Sequence, residues 1–291
     1  MSNDPTAAAA EQPTSLFDRL GAALPIALTA LATAFAGMST SELQQAMFWR
    51  SYAAQDQAKA TAQWTLAGFK RDRALICQAA AAQLRAAGGN GTTNPFGGPP
   101  PAGADPQAVA WLAGKGPPPA QLPEVNDDNL RKLLADIQAR APEGELLRQA
   151  ARVPAATVNA AIDEAEKAVE RTDKEWDPTV KAAVKLTGPE AAIPAQAAGF
   201  ELEQRRYRAE SVLNQGVGFL YEARVKVSSA ESERYQRRSR NFFYAMLAAQ
   251  VGATVSALAL ARKRRSVLWA VAGGTGVVAL AIGAYVYLAE M

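Results

Sequence analysis

The sequence predicts an all-α membrane protein with about three transmembrane helices and a long antiparallel, coiled-coil-like helical hairpin. Uncharged runs occupy residues 20–38, 242–261 and 266–289 of the 291-residue chain. A helix needs about 20 residues to cross a hydrocarbon core of roughly 30 Å, so each run is long enough. Two further helix-forming segments, 39–87 and 195–241, have similar lengths and lie between the first and second runs. The simplest arrangement pairs these two segments as a hairpin that stands on the membrane.

The N-terminal part combines a tail and the weakest of the three spans. Residues 1–19 are polar and rich in alanine, and we expect them to be disordered. The span at 20–38 contains Pro25, and a cleaved secretory signal is an alternative interpretation because Ala34-Phe35-Ala36 resembles a cleavage site. The preceding segment is acidic, whereas a signal peptide begins with positive charge, so an uncleaved span is the preferred interpretation.

The second and third spans form a tight hairpin around a basic loop, Arg262, Lys263, Arg264 and Arg265. Small residues recur at every fourth position of the spans, and such stripes let helix backbones approach closely in lipid. They predict the packing faces of the three spans. These are Ala23 with Ala27 and Ala30 with Ala34 on the first span, Ala245, Ala249, Ala253, Ala257 and Ala261 on the second, and Ala272 with Gly276 and Ala279 with Gly283 on the third.

Two basic clusters bear on topology and disagree. The short loop at 262–265 carries four positive charges, which the positive-inside rule places in the cytoplasm. Residues 39–241 are then extracytoplasmic in a bacterial inner membrane. A second cluster of four, Arg234, Arg237, Arg238 and Arg240, would lie on the outer side. We base the predicted topology on the short loop and not on the second cluster, because long segments translocate largely regardless of charge. We expect both clusters to meet lipid headgroups.

The segment 39–87 is expected to begin as a separate helix. Ser39 followed by Glu42 fits a capping box, and Gly88-Gly89 would end the helix. Small and apolar residues spaced by seven predict a close-packed seam toward a second helix. The seam residues are Met47, Ala54, Thr61, Gly68, Leu75 and Ala82, with Phe48, Phe69 and Ile76 beside them.

Residues 88–123 are rich in proline and glycine, and this composition predicts a linker that holds no helix and buries no core. A docking site for proline-binding partners is an alternative, and Trp111 is the one hint of an anchor. Residues 124–194 are expected to form a helical region at the far end of the hairpin. There, Asp127 and Asp128 precede a helix start, so we interpret them as capping residues and not as a catalytic pair.

The stretch from Ala58 to Trp64, followed by Lys70, resembles the signature of an uncharacterised bacterial membrane family, domain of unknown function 4337. The basic approach to the second span and its basic turn are also similar to that family. The resemblance covers roughly 39–87 and 225–288 and implies architecture and membrane location, without chemistry. Its motif residues here are Gln63, Trp64 and Lys70. For Trp64 we expect packing across the helix pair, with a ligand or glycan platform as the alternative.

The composition removes several classes of chemistry. The chain has no histidine, which excludes histidine acid–base catalysis and histidine metal sites, and its one cysteine, Cys77, excludes an internal disulfide. Cys77 is expected to be a buried thiol, with an intermolecular disulfide as the alternative. We find no phosphate-binding loop and no metal-ligand spacing, and we expect no cofactor. The spans carry no charged residue, which disfavours a transporter, and near-balanced charge in 39–241 disfavours nucleic acid.

Three hypotheses for function follow. The first is a non-enzymatic structural or assembly element of the bacterial envelope, in contact with membrane lipids and self-associated as a homo-oligomer. The second is a sensor or accessory subunit of a membrane complex, with an unidentified membrane-protein partner, whose coil transmits a signal or supports a channel. The third, an enzyme with its site in 125–190, is disfavoured because no acid–base or nucleophile set converges there.

Overall fold

The computed structural model describes residues 16–88, 94–261 and 267–289. Helices hold 85% of the described residues, which contain no strand, and this confirms the predicted all-α fold. Within these ranges, three helices are long and apolar enough to cross a membrane, as expected. In chain order the elements are α1 (Leu16–Gly88), α2 (Pro106–Ala110), a π-helical turn (Trp111–Lys115), α3 (Asp128–Gln138), α4 (Glu143–Ala150), α5 (Ala155–Leu186), α6 (Ile193–Ala261) and α7 (Val267–Ala289).

The first span and the long helix after it form one continuous helix, α1, which also contains residues 16–19 of the expected tail. The rest of that tail, 1–15, lies outside the described residues. The capping-box interpretation of Ser39 and Glu42 is wrong, because both side chains bind α6. The Ser39 hydroxyl donates to the Ser239 carbonyl at 2.9 Å, and Glu42 forms an ion pair with Arg238 at 3.0 Å. Segments 195–241 and 242–261 are likewise continuous in α6.

The chain divides into two compact units. One consists of Met1–Phe48 and Ser232–Met291, and we call it the membrane unit. The other, Trp49–Glu231, is the middle unit. Helices α1 and α6 contribute residues to both.

In the membrane unit, α1, α6 and α7 pack through small residues. A Cβ added at Gly283 would lie 2.5 Å from Phe35, and one at Gly276 would lie 2.9 Å from Leu28. The stripe predicted on the third span is therefore confirmed. On α6 the buried face runs through Ala245, Ala249, Gly252, Ser256 and Ala259, so the predicted stripe is wrong after Ala249. On α1 the predicted alanines are exposed, and Leu28, Ala32 and Phe35 are buried instead.

In the middle unit, α1 and α6 pair in antiparallel orientation. Contacts join Asp56 to Arg224, Lys70 to Glu210 and Cys77 to Glu203, so residue numbers rise on one helix as they fall on the other. The predicted spacing of seven is present, but the seam lies one residue earlier. The buried positions are Ala53, Ala60, Ala67, Ala74 and Ala81, and the predicted Met47 and Leu75 are 64% and 54% exposed. Alanine decides the register because it lets the backbones approach, as the Ser211 hydroxyl shows by donating to the Ala67 carbonyl at 2.8 Å.

The remaining helices pack on this pair in two clusters. Side chains of α3, α4 and α5 meet α6 and Ala60 in the larger cluster. Asp127 caps α3, accepting from the Leu130 amide at 2.8 Å as predicted.

The expectation that 88–123 holds no helix and buries no core is wrong for its described residues. Trp111 and Leu112 are buried in a second cluster with Trp176 and Leu202, and the two indole rings meet edge to face at 6.4 Å. Arg205 donates to the Trp111 carbonyl at 2.8 Å. Contact with α5 and α6 supplies the apolar burial that the segment's own composition lacks.

Candidate membrane-interface site

A groove between α1 and α6 lies in the membrane unit, just before the uncharged part of α6. Its volume is about 550 Å³. Basic, polar and apolar side chains share its lining, which consists of Ser39, Leu43, Glu233, Gln236, Arg237, Ser239, Arg240 and Phe243. Ser39 and Ser239 hold the two helices together at its base, because each hydroxyl donates to the carbonyl of the other residue, at 2.9 and 2.8 Å.

The four arginines predicted to meet lipid headgroups differ in their surroundings. Arg238 points between the helices and is committed to Glu42, and the two side chains are 11% and 15% exposed. Arg237 and Arg240 are exposed and line the groove. Within the described part of the chain they form no ion pair. Arg234 is exposed and lies outside the groove lining. The structure thus separates one arginine that joins the helices from two that are open to an anion.

The groove has the chemistry of a headgroup site. Guanidinium groups form paired, charge-assisted hydrogen bonds with phosphate oxygens, and two of them share this groove. Leu43 and Phe243 supply apolar surface next to them, and the neighbouring Tyr244 is exposed and of a type favoured at a membrane–water boundary. The Glu233 carboxylate also lines the groove and reduces its net positive charge. The second predicted cluster, Arg262, Lys263, Arg264 and Arg265, lies outside the described residues.

The family-like motif residues lie in the middle unit and make interhelical contacts. Trp64 donates from Nε1 to Glu222 at 2.7 Å, and its ring packs edge to face on Phe219 at 4.8 Å. Lys70 pairs with Glu210 at 2.9 Å. Gln63 is half-buried, and its Oε1 receives no hydrogen bond from the described residues. These contacts favour packing as the role of Trp64.

The charged side chains buried between α1 and α6 were not predicted from the sequence. Asp56 is 1% exposed and pairs with Arg224 at 2.9 Å. The Arg224 guanidinium also donates to the Tyr52 hydroxyl and lies over its ring, 4.6 Å from the centroid. Burial raises the pKa of the Asp56 carboxyl, and the Arg224 and Lys59 cations oppose that shift. The sequence does contain one indication of them. Asp56, Lys70 and Cys77 are separated by multiples of seven on α1, among the buried alanines.

A second charged cluster joins three helices. Glu210 on α6 pairs with Lys70 on α1 and with Arg206 at 2.6 Å. Asp173 on α5 is exposed, yet partial desolvation raises the pKa of its carboxyl, and the nearby Glu210 carboxylate adds to the shift. Farther along α1, Cys77 is buried and donates its thiol to Glu203 at 3.5 Å. Burial raises the pKa of this thiol to about 11, with the Glu203 carboxylate adding to the effect.

Comparisons of the chain with protein-family models, with curated proteins and with solved structures found no match. Among the described residues, no group of three or more cysteine, aspartate or glutamate side chains lies where it could hold a metal ion.

Proposed function

We propose that this chain is a non-enzymatic structural or assembly element of the bacterial cell envelope, held in the inner membrane. Its three membrane-span-like helices support a multi-pass membrane protein. The observation that carries the rest of the proposal is how the middle unit uses its buried charges. Asp56, Glu210 and Arg224 are committed to partners on neighbouring helices. Buried polar groups fix helix register in some helical assemblies, and we assign the same role to these pairs, because a scaffold requires a fixed register.

Residues 39–241 are extracytoplasmic in this proposal, and the basic loop at 262–265 supports that orientation. Single-cysteine labelling in whole cells tests it, with Cys77→Ala as background and new cysteines at Gly103 and Ser266. A membrane-impermeant reagent should label position 103 in intact cells and position 266 only after permeabilisation. The reverse pattern would place the middle unit in the cytoplasm and remove its envelope role.

Self-association is the second part of the proposal. In the middle unit, α1 presents an exposed apolar face that includes Phe69 and Ile76, which are 62% and 68% exposed. Leu66 and Leu75 lie beside them and are also exposed. Exposed apolar surface of this kind marks a contact with another protein. We assign that contact to a second copy of the chain.

A photoreactive residue at position 69 distinguishes this role from that of a sensor or accessory subunit. In native membranes it should crosslink to a second copy, whereas the same residue at exposed Glu175 on α5 should not. A crosslink to a different membrane protein would favour the accessory subunit. A monomer without any crosslink, in cells whose envelope is unaffected by loss of the protein, would overturn the assembly role.

Lipid contact completes the proposal. The two exposed arginines, Arg237 and Arg240, support binding of anionic headgroups in the groove described above. Membership in the domain of unknown function 4337 family is proposed from the stretch Ala58 to Trp64 with Lys70, and from the basic approach and basic turn of the last two spans.

A further inference from the structure

A second groove of the membrane unit is polar, although it lies between two apolar spans. Its volume is about 430 Å³, and it opens between α1 and α6. Thr29 and Thr33 on α1 and Gln250 and Thr254 on α6 supply its polar lining, and the rest consists of Ala32, Ala36 and Ala253. The four polar side chains are exposed, and Thr29 and Gln250 lie near the middle of the uncharged runs 20–38 and 242–261. Within the hydrocarbon core they would face lipid in a single copy of the chain.

The threonines are satisfied by their own helices, whereas the glutamine is not. Thr29 donates to the Pro25 carbonyl at 2.8 Å, and Thr254 donates to the Gln250 carbonyl at 3.0 Å. Each hydroxyl oxygen keeps lone pairs that can accept a further hydrogen bond. The Gln250 carboxamide has two donors and one acceptor oxygen, and it forms no hydrogen bond within the described part of the chain.

An unpaired carboxamide in hydrocarbon is costly, so this groove requires a polar occupant. Helix α7 does not supply one, because it packs on other positions, against Leu28, Phe35 and Gly252. Lipid chains offer neither donors nor acceptors at this depth.

We propose that a second copy of the chain packs against this face through its own equivalent face. The two Gln250 side chains then hydrogen-bond to each other across a two-fold axis. A carboxamide both donates and accepts, so it is complementary to itself, as a two-fold contact requires. Ala36 and Ala253, both half-buried on the groove wall, let the helices of the two copies approach closely. The threonine oxygens accept the donors that remain. This inference rests on the self-association proposed above and identifies its contact in the membrane.

Cysteine crosslinking tests the contact directly in native membranes. Gln250→Cys, made in a Cys77→Ala background, should form a disulfide-linked dimer on mild oxidation. Leu280→Cys is the matched control, because this residue is 55% exposed but lies on α7, outside the groove. It should stay monomeric under the same oxidation. Equal crosslinking of both variants would overturn the inference, because it would indicate random collision.

A second variant tests the hydrogen bond while keeping the size of the side chain. Gln250→Leu should weaken dimerisation in lipid by about 3- to 20-fold, the range measured for interhelical hydrogen bonds in membranes. Val277→Leu on exposed α7 surface should leave dimerisation unchanged. If the protein still self-associates but Gln250→Cys does not crosslink, the groove assignment fails and the proposed self-association stands. If the protein stays monomeric at every lipid dilution, both fail.

Discussion

Arg224 Nε lies 2.9 Å from Asp56 Oδ2, and this pair joins α6 to α1 inside the middle unit. The side chains are 13% and 1% exposed, so neither charge is fully hydrated. Tyr52 holds the guanidinium from its other side, through its hydroxyl and its ring. Because a charge left alone in such a place is unfavourable, the pair ties the register of one helix to that of the other.

We expect Arg224→Met to lower the free energy of unfolding by about 3–5 kcal/mol, because the variant leaves the Asp56 carboxylate buried without its partner. The double variant Asp56→Leu/Arg224→Met should recover most of this loss, since apolar pairs of similar volume replace buried ion pairs well. Denaturant titration of the purified protein in detergent, followed by helical circular dichroism, measures both.

The matched control for this pair is the exposed pair between Lys174 and Glu170, which lie 2.6 Å apart on α5. Lys174→Met should leave the free energy of unfolding nearly unchanged, because water screens both groups. If Arg224→Met were as mild as Lys174→Met, the pair would not hold the helices in register.

Packing of the membrane unit gives a second prediction. A Cβ at position 283 would lie 2.5 Å from Phe35 Cε1, and Phe35 is itself fixed by stacking on Phe242, with centroids 6.2 Å apart. Gly283→Ala should therefore lower the free energy of unfolding by about 1–3 kcal/mol, the usual effect of overpacking. Gly274→Ala on the same helix is the control, because no atom lies within 4 Å of its added Cβ. Thermal unfolding in bicelles compares the two, and equal effects would contradict the packing of α7.

The spans could be predicted from the sequence because a membrane-crossing helix requires a long run of uncharged, mostly apolar residues. The faces through which the spans pack could be predicted only in part. On α7, the four-residue spacing identifies the buried face, because it selects Gly276 and Gly283, where large side chains of α1 approach, and not Gly274, which is open. On α1, alanine is so frequent that four-residue stripes occur on every side. There the buried face is set by Leu28 and Phe35, which fit against those glycines.

The packing face of α1 in the middle unit was also ambiguous in the sequence, because small residues are frequent there. Two series spaced by seven compete on α1, one containing Ala60 and Ala67 and the other Thr61 and Gly68. The first is uniformly alanine from position 53 to 81 and allows the closest backbone contact, whereas the predicted series mixes small residues with the bulkier Met47 and Leu75, which are exposed. Partners such as Asp56 and Arg224 lie far apart in the chain, so they could be paired only after this register was known.

The arginines before the second span give a third prediction, which separates stability from lipid binding. Arg238→Gln should lower the free energy of unfolding by about 1–3 kcal/mol, because it leaves the largely buried Glu42 without its partner. Arg240→Gln should not alter stability, because this side chain is exposed in the groove. It should instead reduce the number of anionic lipids retained on the purified protein, counted by native mass spectrometry. If Arg240→Gln lowered stability and left lipid retention unchanged, the groove would not be a headgroup site.

Cys77 gives the prediction that depends on pH. Its thiol is 6% exposed and donates to Glu203, and burial together with that carboxylate raises its pKa to about 11. At pH 8 the thiolate fraction is then about 100-fold below that of a thiol with a pKa near 9. Alkylation should be slower by at least about 10-fold, because the more basic thiolate is also more nucleophilic and offsets part of that factor. The matched control is Leu75→Cys in a Cys77→Ala background, because position 75 is exposed on the same helix.

The rate of alkylation of Cys77 measured against pH should therefore rise toward a midpoint near 11. In Glu203→Gln that midpoint should fall but stay above the ordinary value, because burial, the larger cause, persists. The raised pKa of Cys77 also makes the free energy of unfolding depend on pH. The unfolded chain releases the thiol proton near pH 9 and the folded chain holds it to about 11, so the free energy of unfolding should fall as pH rises between these values. Cys77→Ala should remove that part of the fall, and an unchanged slope would show that Cys77 titrates in the folded protein as it does in water.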